Sequence, residues 1–87
     1  MSYFKNKNIV ITGGAGFLAT HFITELHRLG ANITTHTYNS PLQVGNEIQK
    51  DIRVLENIDL NNINAALELT KGADLVIHSA GHVLHPG

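Results

Sequence analysis

Three glycines, Gly13, Gly14 and Gly16, stand between a run of branched residues at 8–12 and an amphipathic stretch that starts near residue 16. Glycine frees the backbone and removes side-chain bulk, at a cost of roughly 0.5–1 kcal/mol per site in regular structure. A helix that begins here presents backbone N–H groups without intrahelical partners and the positive end of its dipole. The chemical group suited to that place is an anion, above all a diphosphate. In such an arrangement Gly13 and Gly14 permit the tight turn, Gly16 lets the backbone approach phosphate, and the small Ala19 lets helix and sheet close. Two overlapping spacings fit, Gly14-x-Gly16-x-x-Ala19 and Thr12-Gly13-x-x-Gly16-x-x-Ala19. The competing reading is a glycine-rich connection with no ligand. A strand immediately before and a helix immediately after weigh against it.

Other reactive residues form no comparable constellation. His82 and His85 are three apart, and His21 and His27 six apart, but neither pair has a third ligand at a recognisable zinc spacing. The chain has no cysteine, hence no thiolate metal site and no disulfide framework. No metal is expected.

The elements that position the glycines follow from hydrophobic period. Residues 8–12 predict a strand, nearly continuous in apolar character and so of the type buried on both faces. Over 16–29 the residues Leu18, Phe22, Ile23, Leu26 and Leu29 recur at helical spacing, and Gly30 is the stop. Residues 31–38 predict a second strand, 39–51 a loop with room for one helical turn, and 52–55 a short third strand. A helix is expected over 62–70, with Ile63, Ala66, Leu67 and Thr70 on one face, and a fourth strand of the buried type over 74–79. Alternating strands and helices imply parallel pairing with right-handed crossovers. The expected fold class is α/β, the first half of a Rossmann-type parallel sheet with strand order 3-2-1-4.

Composition is that of a globular chain: 87 residues, 43% hydrophobic, with six basic and seven acidic side chains. A net charge of -1 gives no electrostatic reason to expect nucleic acid or an anionic membrane as partner. The polar, basic N-terminus is not followed by a signal-peptide run, and nothing approaches the ~20 apolar residues of a membrane span. A cytoplasmic protein is the expectation.

Three separated segments, "VITGGAGFLATHFITELHRLGANIT", "DL" at 59–60 and "GADLVIHSAG" at 72–81, resemble the extended short-chain dehydrogenase/reductases. The resemblance is to the NAD-dependent epimerase/dehydratase group acting on nucleotide sugars. It implies that residues 1–87 form the N-terminal part of an NAD(P)-binding domain, truncated before its catalytic half. It also implies that Thr12, Gly13, Gly16 and Ala19 frame the pyrophosphate, with Gly14, Phe17 and Leu18 among the cofactor-binding residues. Asp59 and Leu60 would then lie by the adenine, and Ala80 and Gly81 by the cofactor sugar. His78 falls where that family commonly carries a strand histidine.

The sequence departs from the pattern at the end of the second strand. An acidic residue expected there binds the ribose of NAD. Its position is taken by Thr37, and no Asp or Glu occurs between Glu25 and Glu47. That absence leans towards NADP, yet no Arg or Lys lies between 29 and 49 to bind its phosphate. Asn39 and Ser40 remain as donors, and His36 if protonated. The cofactor is NAD or NADP.

The family's acid–base pair, a tyrosine with a lysine four residues on, is also missing. Tyr38 is followed by Leu42, and the Tyr3/Lys7 pair precedes the first strand and reads as chance. No catalytic residue is assigned. The function implied is the dinucleotide-binding segment of a sugar-nucleotide epimerase, dehydratase or related reductase, in which the complete enzyme transfers hydride. The alternative is a non-catalytic module that senses NAD(P) or binds a partner. An apolar strand left at the sheet edge would favour self-association, so a homo-oligomer is compatible with either.

Overall fold

The structure is a computed structural model, and it describes residues 3–13, 16–38 and 41–78. The chain runs β1 (Asn8–Thr12), α1 (Phe17–Arg28), β2 (Asn32–His36), α2 (Asn46–Gln49), β3 (Arg53–Leu55), α3 (Ile63–Thr70) and β4 (Leu75–His78). The four strands form one sheet in the order β3-β2-β1-β4, every pairing parallel. This is the Rossmann-type half-sheet expected from the alternation of strands and helices.

The core is built on the two-residue period of β1. Ile9 and Ile11 point to one face, where they meet Ala19, Ile23 and Leu26 of α1, Ile33 of β2, and Val44. Val10 and Thr12, on the other face, are buried as well. The continuous apolar run therefore reports a strand covered on both sides. Helix α1 buries Ala19, Ile23 and Leu26, a stripe at i, i+4 and i+7. It ends in a Schellman motif: the Gly30 N–H donates to the His27 carbonyl at 3.0 Å and the Ala31 N–H to the Leu26 carbonyl at 3.1 Å. The first strand is anchored at its start by Asp74, whose carboxylate accepts the Asn8 N–H at 2.8 Å.

Three details differ from expectation. Leu18 belongs to the periodic set of α1 but is exposed, because it lies at the first turn and off the buried stripe. On α3 the expected face is not the buried one: Ile63 and Leu67 are 69% and 61% exposed, whereas Leu69 is buried. Apolar residues at 63, 65, 66, 67 and 69 cover an arc of roughly 200° on this short helix, so period alone does not single out the part that is buried. Strand β4 is only half-buried and Leu75 is exposed, because among the described residues β4 pairs on one side alone, with β1.

Candidate functional site

Strand order reverses about β1, which has β2 on one side and β4 on the other. In open α/β sheets the crevice at the carboxyl ends of such strands is where ligands bind. The glycine turn stands there. Gly13 has φ +74°, a left-handed conformation that side chains disfavour. Gly16 has ordinary backbone angles, φ -80° and ψ 159°, and serves as N-cap of α1. Its N–H donates to the Gly13 carbonyl at 2.8 Å. A Cβ at Gly16 would come within 3.2 Å of that same oxygen. Gly13 is thus favoured by backbone shape and Gly16 by space.

The amino end of α1 has no side-chain cap and no acidic residue in its first turn. Thr20 is the first residue whose N–H reaches back into the helix, to the Gly16 carbonyl at 3.0 Å. The donors of Phe17, Leu18 and Ala19 precede the intrahelical ladder. Phe17 is 90% exposed beside them. Ala19 is completely buried, where helix meets sheet, so a larger residue there would force the two apart.

Thr12 directs its hydroxyl towards β4. Its Oγ1 lies 3.5 Å from the Ile77 carbonyl and 3.3 Å from His78 Nδ1. Its side chain ties the two strands that flank the crevice. His78 is therefore hydrogen-bonded, but exposed rather than packed.

The ribose-facing position assigned to Thr37 has its backbone held on both sides. The Thr37 N–H donates to Leu55 at 3.0 Å and its carbonyl accepts from Ile58 at 2.9 Å. The side chain that reaches the glycine turn is that of the preceding residue: the Gly13 N–H donates to His36 Nε2 at 2.9 Å. His36 is 5% exposed, and its Nδ1 is buried without a hydrogen-bond partner of good geometry. Burial lowers its pKa below the usual histidine value, and a weak ring hydrogen bond to the Ile58 backbone, outside good geometry, acts in the opposite direction. The fingerprint spacing carries no signal for this contact. Its only trace in the sequence is a histidine one place before the expected acid.

Beyond β3, Asp59 shapes the entry to α3. Its Oδ1 accepts the Asn61 N–H at 2.9 Å and its carbonyl the Asn62 N–H at 2.9 Å. Asn62 in turn caps α3, accepting the Ala65 N–H at 3.2 Å. Asp59 and Leu60 are both half-buried. Gly14, Asn39, Ser40, Ala80 and Gly81 lie outside the described residues, as do His82 and His85.

Tyr3 and Lys7 do meet, with Nζ 5.2 Å over the ring. They lie near Asp74 and Leu75 at the amino ends of the strands, remote from the glycine turn. A cleft of about 610 Å³ also opens at those amino ends, among Asn8, Asn32, Arg53 and Gly72. Among the described residues no three potential metal ligands gather, and no helix is long and apolar enough to cross a membrane.

A family model described as the NAD dependent epimerase/dehydratase family matches residues 9–87. No curated protein matches the sequence significantly. Solved structures share the fold at low identity. An epimerase, Mth375, from Methanothermobacter thermautotrophicus superposes with TM-score 0.76 at 23% identity, over 91% of this chain and 24% of its own. A wide-type short-chain dehydrogenase/reductase from Veillonella parvula, in complex with NADP, gives 0.70 at 23% identity over 83% of this chain and 34% of its own. A mutant uronate dehydrogenase from Agrobacterium tumefaciens, complexed with NAD, gives 0.70 at 22% identity over 92% and 28%. The chain thus spans about a quarter to a third of the length of these proteins.

Proposed function

Because the chain belongs to the NAD dependent epimerase/dehydratase family, we propose that it is the segment that binds the diphosphate and adenosine of a nicotinamide dinucleotide. The observation that carries this reading is the cradle at the glycine turn. Gly13 takes a conformation suited to glycine, and Gly16 keeps open a space that a Cβ would crowd. An uncapped helix end stands directly behind them. The backbone donors of Phe17, Leu18 and Ala19 would hold the diphosphate, with the exposed ring of Phe17 flanking it. Thr12 would set the spacing of β1 and β4 beneath the nicotinamide side through its hydroxyl contacts. Asp59 and Leu60 would edge the adenine, Thr37 and Asn39 the ribose, and Gly14, Ala80 and Gly81 would complete the cradle.

In a complete enzyme of this reading the bound nicotinamide supplies hydride transfer, and the substrate is a sugar nucleotide. Both partners in proton transfer belong to a part of the fold outside this chain. The choice between NAD and NADP rests on the missing carboxylate at Thr37, which leans towards NADP. His36 adds no cation to that argument, since its ring is buried and its Nε2 accepts a hydrogen bond. A cytoplasmic setting fits the same reading.

The test is calorimetric titration of the chain with NAD and NADP. Saturable binding of either, lost on replacing Gly16 with valine, supports the proposal; a folded chain that binds neither refutes it. A second reading, a non-catalytic module that senses NAD(P) or docks a partner, is favoured by the half-exposed β4 with Leu75 on its surface. Turnover of a sugar nucleotide by this chain would exclude it.

A further inference from the structure

We propose that His36 is a positioning residue for the glycine turn: its uncharged ring holds the Gly13 N–H through Nε2 and keeps the turn in its ligand-receiving shape, and protonation releases it. This rests on the dinucleotide reading above and adds to it a regulation by pH.

The geometry assigns the tautomer. An N–H donates to Nε2 at 2.9 Å, so Nε2 carries the lone pair and the ring hydrogen of the neutral imidazole is on Nδ1. His36 is 5% exposed, and its buried Nδ1 makes no hydrogen bond of good geometry, the Ile58 backbone being its weak partner. A buried histidine with one nitrogen engaged on a left-handed glycine restrains that glycine's peptide plane. A protonated ring has a hydrogen on both nitrogens. Its Nε2–H would then face the Gly13 N–H, donor against donor, and the contact would open.

The surroundings leave this ring to be governed by burial. Residues 8–13 of β1 and its end carry no ionisable side chain. On the neighbouring strand β3, Arg53 sits opposite Thr34, two positions back from the Leu55–His36 pair. The loop after β3 carries Glu56 and Asp59, and Asp59 has an oxygen engaged by Asn61. On β4, His78 faces Thr12. Tyr38, which follows on the chain, is exposed. The influences on His36 are burial first and the Ile58 backbone second, with no neighbouring charge among them.

The sign of the pH effect separates this role from the obvious rival. A histidine that served as a cation for a cofactor phosphate would bind more tightly as pH falls. A histidine that must accept from Gly13 binds more weakly.

The experiment uses the ¹⁵N-labelled 87-residue chain, with ring and amide nitrogen NMR from pH 8 to 5.5 and titration with NAD and NADP at each pH. Wild type should show His36 neutral with its proton on Nδ1, and a Gly13 amide that shifts with the ring's titration. Affinity should fall with acid by up to about tenfold per pH unit, the limit for one linked proton. The variant His36→Gln retains an acceptor that does not titrate, and its binding should be nearly flat across that range. His36→Leu should bind about tenfold more weakly at pH 8, through the orphaned Gly13 donor. A proton on Nε2 at pH 8, binding that tightens in acid, or wild-type affinity in His36→Leu would each overturn the proposal. Should His36→Leu not fold, the wild-type tautomer and the His36→Gln profile still decide. If wild type binds neither dinucleotide while its Nε2 lone pair and the coupled Gly13 amide are observed, the dinucleotide reading falls and the positioning contact stands.

Discussion

Gly13 and Gly16 look equivalent in a motif and are physically different. Gly13 sits at φ +74°, so Gly13→Ala should lower stability by about 1–2 kcal/mol whether or not a ligand is present, as chemical denaturation would show. Gly16 has backbone angles open to any residue and a neighbour 3.2 Å from a would-be Cβ. Gly16→Val should therefore cost no more than about 1–2 kcal/mol of stability while abolishing dinucleotide binding. His36 adds a pH dependence to stability. Its folded pKa lies below the unfolded one, so the unfolded chain binds protons more readily in acid. The stabilisation is complete above histidine's usual pKa of about 6.5 and is lost as pH falls through the lower, folded value. Urea midpoints measured from pH 8 to 5 should drop across that window, and the drop should shrink in His36→Gln. The glycines were legible from spacing. The His36 contact was not, because it joins residues 23 positions apart through a tautomer and a strand register.

The strands and helices themselves follow closely from hydrophobic period. Strand β1 and its order in the sheet were legible because four buried residues in a row have few alternatives to a central parallel strand. The face of α3 was not. Its apolar residues cover a broad arc, and the choice of Leu69 over Ile63 and Leu67 was made by packing against the sheet. The consequence is measurable. Ile23→Ala, in the buried stripe of α1, should cost about 2–5 kcal/mol. Leu67→Ala, on the exposed side of α3, should change stability by no more than about 0.5 kcal/mol. Thermal melts of the two variants against wild type would check the contrast. Strand β4 teaches a related point: its apolar composition suits a buried strand, but exposure depends on what lies beyond it in the sheet, which no local pattern encodes.

At the scale of the molecule, the sheet brings the glycine turn, the amino end of α1 and the end of β2 to one rim, with the β3–α3 loop hydrogen-bonded to that end of β2. On the proposed reading the dinucleotide would lie along that rim, while about two-thirds or more of each related structure falls outside the matched part. Substrate chemistry was accordingly beyond reach of these 87 residues, since the tyrosine–lysine pair they do bring together, Tyr3 with Lys7, lies at the amino ends of the strands and away from that rim. A ligand held only by the folded chain must raise its melting temperature in proportion to binding. The most direct test of the central claim is therefore a paired titration of wild type and Gly16→Val with NAD and NADP, followed by calorimetry and by melting temperature. Wild type should show saturable binding and a rising melting temperature with at least one dinucleotide, and a Gly16→Val chain that is still folded should show neither. Equal affinity in the two chains, or a folded wild type indifferent to both dinucleotides, would contradict it.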